Sequence, residues 1–152
     1  MRSDSAIYAT LLDSLRGNGD SVLVGSKFDE LPDSAAAVPA LAAWVHKQLP
    51  ALDSALVVAL AQARDSGSVQ AVLGQAHGVR WFTALRELPD PGPFLSYRVV
   101  SFTRVAYDSS GTHAVVYASM GCGGLCGNGS FYAFELRNGA WRKVGRVVLV
   151  VS

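Results

Sequence analysis

Two hydrophobic periods divide the chain. In the first part, apolar residues recur at three- to four-residue steps, as they do on one face of an α-helix. From about residue 97 onward, apolar and polar residues alternate, as they do in a half-buried β-strand. A run of proline, aspartate and glycine at 89–93 separates the two patterns. The sequence therefore predicts a single domain over 1–152, with a helical half, 1–93, and a sheet half, 94–152.

Four or five short helices are predicted in the helical half, together with one small strand. The helices are predicted at 4–16, about 39–49, about 52–65, after Ser68, and around Trp81 and Phe82. Proline is favourable in the first turn of a helix and unfavourable in its interior, so Pro39 indicates the start of the second helix and Pro50 its end. The short β-branched run at 21–25 is flanked by turn residues and predicts the strand.

The sheet half predicts an antiparallel meander. Its strands are expected at 97–107, 112–120, 131–137 and 141–151, with a bulge or a break in the first strand between Phe102 and Val105. Asn138-Gly139 is typical of a type I′ hairpin turn. Both faces of 112–120 carry apolar residues and should be at least partly covered. The apolar run 147–151 predicts a central or covered last strand, because an exposed one would invite edge pairing.

The fold class expected from these patterns is α+β, with the N-terminal short helices packed on one face of the C-terminal antiparallel meander. The core is expected to contain large apolar residues from both halves: Leu11, Leu15, Leu56, Leu60, Trp81, Phe82, Phe102, Val116, Phe134, Trp141 and Leu149.

The composition is that of a folded, soluble protein. Hydrophobic residues make up 50% of the chain and charged residues 16%, with a net charge of +1, which argues against extended disorder. No apolar run approaches the roughly 18 residues of a membrane-spanning helix. Residues 1–4 lack the apolar region of a signal peptide. We expect a periplasmic or secreted protein if a leader has been removed, and a cytoplasmic one otherwise.

The charge is unevenly distributed. Residues 1–95 carry 7 basic and 10 acidic side chains, whereas 96–152 carry 6 basic and 2 acidic ones. The basic residues of the second half can simply occupy solvent-facing strand positions, or they can attract an acidic ligand or partner. Nucleic acid is disfavoured as a partner, because the aromatic residues alternate as in a core and no nucleic-acid-binding motif is present.

A glycine-rich loop between two predicted strands is the main candidate site. The segment 121–129 contains five of the fifteen glycines and both cysteines. Glycine permits positive φ angles and the close approach of another group, so such a loop has a specific backbone shape. The candidate binding residues of the loop are Gly121, Gly123, Gly124, Leu125, Gly127, Asn128 and Gly129. Their expected partner is a small ligand or another protein.

Cys122 and Cys126 leave three chemistries open. A glycine-rich loop can bring the two Cα atoms within the disulfide window of about 4.4–6.8 Å, and we expect a disulfide in the oxidised protein. The alternatives are two free thiols, or thiol redox or metal chemistry. Two thiolates are too few for a structural zinc site, and His46, His77 or His113 would have to complete it. We therefore expect no metal and no cofactor.

A catalytic site is the remaining alternative. Strand periodicity places His113, Tyr117 and Ser119 on one face, and a hydrolase or transferase could use His113 with one of them or with Ser130. His113 and Ser119 are roughly 20 Å apart along such a strand and cannot touch. No nucleophile elbow is present. A non-enzymatic binding domain is therefore the favoured function.

Four segments carry a resemblance to a known family. They are 102–107, 114–117, 122–127 with its Cys-Gly-Gly-Leu-Cys-Gly pattern, and 138–144. Over about 102–152 the chain resembles a family of uncharacterised bacterial proteins with no assigned activity. Members of that family usually carry an export leader, so the resemblance implies an extracytoplasmic binding or accessory domain. It implies no catalytic residue.

Overall fold

The computed structural model describes residues 4–16, 22–29, 31, 37–63, 67–76, 78–84, 98–121 and 127–151. The helices are α1 (Asp4–Arg16), α2 (Val38–Gln48), α3 (Ser54–Gln62) and α4 (Val69–Leu73). The strands are β1 (Val22–Gly25), β2 (Val79–Phe82), β3 (Arg98–Phe102), β4 (Ala106–Tyr107), β5 (His113–Gly121), β6 (Gly127–Arg137) and β7 (Ala140–Val151). The α+β class and the C-terminal meander are confirmed.

The described helix starts follow from local chemistry. Pro39 lies in the first turn of α2, where its missing N–H costs nothing. Asp53 accepts a hydrogen bond from the Ala55 N–H at 2.9 Å and caps α3. Ser68 accepts from the Ala71 N–H at 3.1 Å and caps α4, and its own hydroxyl donates to the Ser26 carbonyl at 2.8 Å. Ser68 thereby ties the start of α4 to the end of β1.

The sheet is mixed and has the order β2-β1-β3-β5-β6-β7, with β4 pairing separately with β5. Strand β1 runs parallel to both β2 and β3, and the pairs from β3 to β7 are antiparallel. The predicted break between Phe102 and Val105 is confirmed as the gap between β3 and β4. Asn138 and Gly139 have φ angles of 51° and 78°, as the predicted type I′ turn requires.

Three expectations about this sheet are wrong. Trp81 and Phe82 lie in a strand, β2, because pairing with Val24 and Gly25 outweighs the helical spacing of their side chains. The apolar strand β7 is an edge strand of the sheet. The helices pack on both faces rather than one, because β5 and β6 present apolar side chains in both directions.

Each face of the sheet has its own core. On the α1 face, α1 and α4 cover residues such as Val116, Tyr132 and Phe134. On the α2–α3 face, α2 and α3 cover residues such as Val115 and Phe131. The predicted core residues are buried except for Trp81 and Leu149, which are partly buried. The predicted coverage of both faces of 112–120 is confirmed.

Candidate functional site

The glycine-rich loop joins β5 to β6. Its flanking residues, Gly121 and Gly127, are cross-strand partners. The five residues between them, Cys122, Gly123, Gly124, Leu125 and Cys126, lie outside the described residues. The structure gives no support to the predicted disulfide, which stays a prediction. The site can be built from the flanks of the loop and from the strands they enter.

Gly129, a predicted binding residue, allows a close approach between two strand residues. The ring of Tyr117 lies against the backbone of Gly129, so that a Cβ at this position would stand 2.6 Å from Tyr117 Cζ. A Cβ at Gly121 would meet no atom of the described residues within 4 Å. The glycine at 129 is therefore explained by packing on the α2–α3 face, whereas the side-chain position at 121 is open.

Asn128, another predicted binding residue, belongs to a polar cluster on the opposite, α1 face. Arg146 on β7 donates from Nε to Ser130 Oγ at 3.1 Å and from Nη2 to Asn128 Oδ1 at 3.1 Å. Ser130 is fully buried, and its hydroxyl donates to Asn128 Oδ1 over 3.5 Å. Two neighbouring acceptors on β6 thus hold the guanidinium of Arg146 in one orientation beside the loop.

A second cation completes this cluster. Tyr132 follows Ser130 on the same face of β6, and its ring carries Lys143 Nζ at 5.7 Å and Arg146 Cζ at 5.7 Å from the centroid. Both cations are exposed, and neither forms an ion pair with a described residue. We call Asn128, Ser130, Tyr132, Lys143 and Arg146 the cationic cluster.

Chemically, the cationic cluster has the donors that binding an anion requires. A guanidinium has several N–H donors, and Ser130 and Asn128 use only two of those on Arg146. The Tyr132 ring attracts both cations and keeps them together although their like charges repel. The remaining donors of Arg146 and the ammonium of Lys143 can therefore bind a carboxylate or phosphate group.

His113 lies at the other end of β5, away from this cluster. Its Nδ1 is 2.9 Å from Asp108 Oδ2, and its cross-strand partner is Glu135, whereas Ser130 is opposite Ala118. Tyr117 is buried in the α2–α3 core. The structure does not bring His113 together with Ser119 or Ser130, so the predicted catalytic combinations are not assembled among the described residues.

Asp108 organises the turn that holds His113. Burial opposes ionisation of Asp108, but the backbone N–H of His113, the Ser110 hydroxyl, the His113 ring and the Thr112 N–H outweigh it and hold the pKa of this carboxyl below its ordinary value. The same carboxyl thus accepts hydrogen bonds from Ser110, Thr112 and His113 in the β4–β5 turn. This pattern is that of a structural turn.

Tyr8 is a buried titratable group with a structural contact. Its hydroxyl donates to the Thr103 carbonyl at 2.8 Å inside the α1-face core. Burial, and after it the charge of Asp4, raises the pKa of Tyr8 well above its ordinary value. A phenol that stays protonated and donates to a backbone carbonyl has no free proton for chemistry.

A shallow cleft lies between α1 and α4. It has a volume of about 210 Å³ and is lined by Ala9, Leu12, Asp13, Arg16, Leu73 and Ala76. Arg16 Nε is buried there without a hydrogen-bond partner among the described residues. Pockets for drug-sized ligands have volumes of roughly 300–1,000 Å³, so this cleft is smaller than such a pocket. The cationic cluster is the stronger candidate.

Metal binding and membrane insertion find no support in the described parts of the chain. Within those ranges, no three histidine, cysteine, aspartate or glutamate side chains are grouped closely enough to bind a metal ion. His46 instead contacts the Leu52 carbonyl at 2.8 Å and closes the α2–α3 connection, and His77 lies outside the described residues. None of the described helices is both long and apolar enough to span a membrane.

Sequence reasoning missed Ser130, Tyr132, Lys143 and Arg146 as parts of one site. The uneven charge of the second half left an acidic ligand or partner as one of two explanations, but the strand pairing that groups these residues is a tertiary feature. Comparisons of the chain with protein-family models, with curated proteins and with solved structures found no match. The resemblance noted from the sequence is therefore an expectation that nothing further supports.

Proposed function

We propose that this protein is a non-enzymatic binding domain that holds an anionic group at the cationic cluster, on the sheet face beside the glycine-rich loop. One observation carries the proposal. Arg146 is exposed, has no ionic partner among the described residues, and is nevertheless fixed by Ser130 and Asn128 at 3.1 Å each. A free surface arginine would lose rotamer entropy on binding an anion, and this one has lost part of it already.

The position of the cluster supports the same function. Asn128 is the second residue of β6, directly after the loop, so a ligand on Arg146 would also be within reach of the loop. The C-terminal half of the chain carries 6 basic and only 2 acidic side chains. Of those two acids, Asp108 contacts His113 and Glu135 contacts Arg137, so neither neutralises the cluster.

The test is a titration of isotope-labelled protein with inorganic phosphate and with succinate at low ionic strength, followed by NMR. We expect shifts at the amides of Asn128 and Ser130 and at Arg146 Nε. Arg146→Gln and Lys143→Gln should each weaken binding by about two- to fivefold, because an exposed charge contact contributes about 0.2–1 kcal/mol.

Arg142→Gln is the matched control. Arg142 is an exposed cation on the same strand, but it is paired with Glu135 and lies on the other face of the sheet. Its loss should leave both titrations unchanged. The proposal would be refuted if the wild-type protein showed no such shifts, or if Arg146→Gln and wild-type protein showed equal shifts.

The finer expectations stay predictions. A catalytic site near His113, and redox or metal chemistry at Cys122 and Cys126, are favoured by no observation on the described residues. An extracytoplasmic location depends on the resemblance alone. Non-reducing mass spectrometry of protein from its native compartment would test both the disulfide and the location.

A further inference from the structure

The outer edge of β7 is a long open sheet edge. β7 has twelve residues and pairs on one side with β6, and it is the last strand in the order of the sheet. No strand among the described residues pairs with its other side. The opposite edge strand, β2, has only four residues. An unpaired edge presents backbone N–H and C=O groups that can pair with another strand.

Apolar side chains are exposed along this edge. The large hydrophobic residues that the described part of the chain exposes are Trp44, Val144 and Val148, at 39%, 36% and 39%. Two of them lie on β7. Natural edge strands are usually short, covered, bulged or interrupted by charge. β7 has bulges and exposed cations, but it is long, and its exposed valines indicate a surface that a partner covers.

The charges on β7 decide what kind of partner this is. Arg142, Lys143 and Arg146 are all exposed. Arg142 is opposite Glu135 on the other face, whereas Lys143 and Arg146 form no ion pair with a described residue. A second copy of this chain would bring the same cations to the interface and would leave them unpaired. An acidic strand would neutralise them, and the cations would at the same time repel basic or identical strands.

We infer that the β7 edge binds an extended, acidic segment of a partner protein as an additional antiparallel or parallel strand. This inference rests on the proposed function, because Lys143 and Arg146 of the cationic cluster would receive the acidic side chains. An apolar side chain of the segment would lie next to Val148. Backbone hydrogen bonds to β7 would provide the remaining affinity, as in other cases of strand addition.

The experiment uses short labelled peptides and fluorescence anisotropy. The probe has about six residues, the length of an average strand, with glutamate at its first and third positions and valine at the other four, so that two glutamates and a valine share one face. A second peptide replaces each glutamate with lysine. A third keeps the acidic sequence but carries N-methyl groups on all of its backbone nitrogens, which removes the N–H donors on both edges and blocks strand pairing without changing the charge.

We expect the acidic peptide to bind and the basic peptide to bind at least about tenfold more weakly. N-methylation should also weaken binding by about tenfold or more, since several backbone hydrogen bonds are lost. The double variant Lys143→Gln/Arg146→Gln should weaken binding by about five- to tenfold. Arg142→Gln should weaken binding less than this double variant, because Arg142 lies on the other face of the sheet.

The outcomes separate the two proposals. If the methylated and unmethylated acidic peptides bind equally, the cluster binds anions but β7 does not accept a strand, and the inference is wrong while the proposed function stands. If phosphate and succinate bind but neither acidic peptide does, the result is the same. If no anion and no peptide binds, both proposals fail. A stable homodimer by light scattering, with β7 amides protected from exchange without peptide, would show that a second copy of the chain occupies this edge and that the inference is wrong.

Discussion

At the scale of single residues, Gly121 and Gly129 differ in what surrounds them. Gly121 and Gly129 both belong to the glycine-rich segment and are indistinguishable by residue type. In the structure, only Gly129 has a neighbour that fills the place of a side chain, the ring of Tyr117. A glycine in a strand has a packing role where another group approaches its backbone closely.

Gly129→Ala should therefore destabilise the protein by about 1–3 kcal/mol, because the new methyl group forces Tyr117 out of its position. Gly121→Ala should change the stability by less than about 0.5 kcal/mol, because its Cβ would meet no described atom within 4 Å. Urea denaturation of both variants checks the difference. Equal effects at the two positions would show that the packing of Tyr117 on Gly129 is not what requires the glycine.

A buried hydroxyl provides a second prediction at this scale. Tyr8→Phe removes the donor to the Thr103 carbonyl and leaves that acceptor unpaired inside the core. The expected loss is about 1–3 kcal/mol. Ser14→Ala removes an exposed-side hydroxyl from the same helix and should cost less than about 0.5 kcal/mol. Free energies of unfolding from urea titrations measure both, and a neutral Tyr8→Phe would contradict the contact.

At the scale of elements, the turn between β4 and β5 depends on one carboxylate. Asp108 has a lowered pKa in the folded protein, because hydrogen bonds to its ionised form outweigh the effect of burial. A lowered folded pKa stabilises the protein fully above the unfolded value, which is about 3.9 for aspartate. This contribution is lost as the pH falls through the folded pKa.

Asp108→Asn should consequently lower the melting temperature near neutral pH and should have a progressively smaller effect as the pH falls below about 4. Thermal melts of wild-type and variant protein across the acid range measure this difference. Asp13→Asn, at an exposed position on α1, is the control and should have little effect. A melting difference that grows toward acid pH would have the wrong sign for this mechanism.

The strand pair β6–β7 illustrates how an element decides the site. If the register set by the two-residue turn continued without a bulge, Arg146 would pair with Phe131, on the α2–α3 face. The register shifts between Ala133 and Phe134 partners, so that Arg146 is opposite Tyr132 instead. A one-residue bulge moves every later side chain to the other face. The cationic cluster exists because of this bulge.

At the scale of the whole molecule, β5 and β6 are covered by helices on both faces, whereas β7 is at an edge with exposed valines. Local stability follows the number of buried contacts and the protection of backbone hydrogen bonds. The middle of β5 and β6 should therefore be the most stable part of the described structure, whereas β7 is among its least covered elements.

Hydrogen exchange should reflect this arrangement. We expect the slowest exchange at the amides of Val116 and Tyr132, which are buried and cross-strand partners, and faster exchange at the outward-facing amides of β7. Exchange followed by NMR or mass spectrometry checks the order. Protection along all of β7 that equals that of β5 would mean that its outer edge is already covered in the isolated protein.

The core gives a last prediction at this scale. Phe134 is 1% exposed and belongs to the α1-face core, so Phe134→Ala should destabilise the protein by about 3–5 kcal/mol. Val148→Ala, at an exposed position of the neighbouring strand, should cost less than about 1 kcal/mol. Equilibrium unfolding separates the two. A small loss at Phe134 would contradict the packing of α1 on this sheet.

The sequence by itself determined the features that depend on neighbours along the chain. Local periodicity, capping and turn chemistry determine the α+β class, helix α1, the cap at Ser68, the turn at Asn138-Gly139 and the break after Phe102. Most of the predicted core was correct for the same reason, since apolar residues at strand or helix spacing must be buried somewhere. The choice of Asn128 as a candidate binding residue was a local inference too, and its binding role stays a prediction.

Only the tertiary structure decided the features that depend on pairing between distant segments. The insertion of β1 between β2 and β3 made Trp81 and Phe82 part of a strand, against their helical spacing. The distribution of helices over both faces depends on which side each connection crosses, which no local pattern specifies. The grouping of Arg146 with Ser130 depends on a bulge that the turn residues do not encode, since register beyond a hairpin turn is set by packing on the two faces.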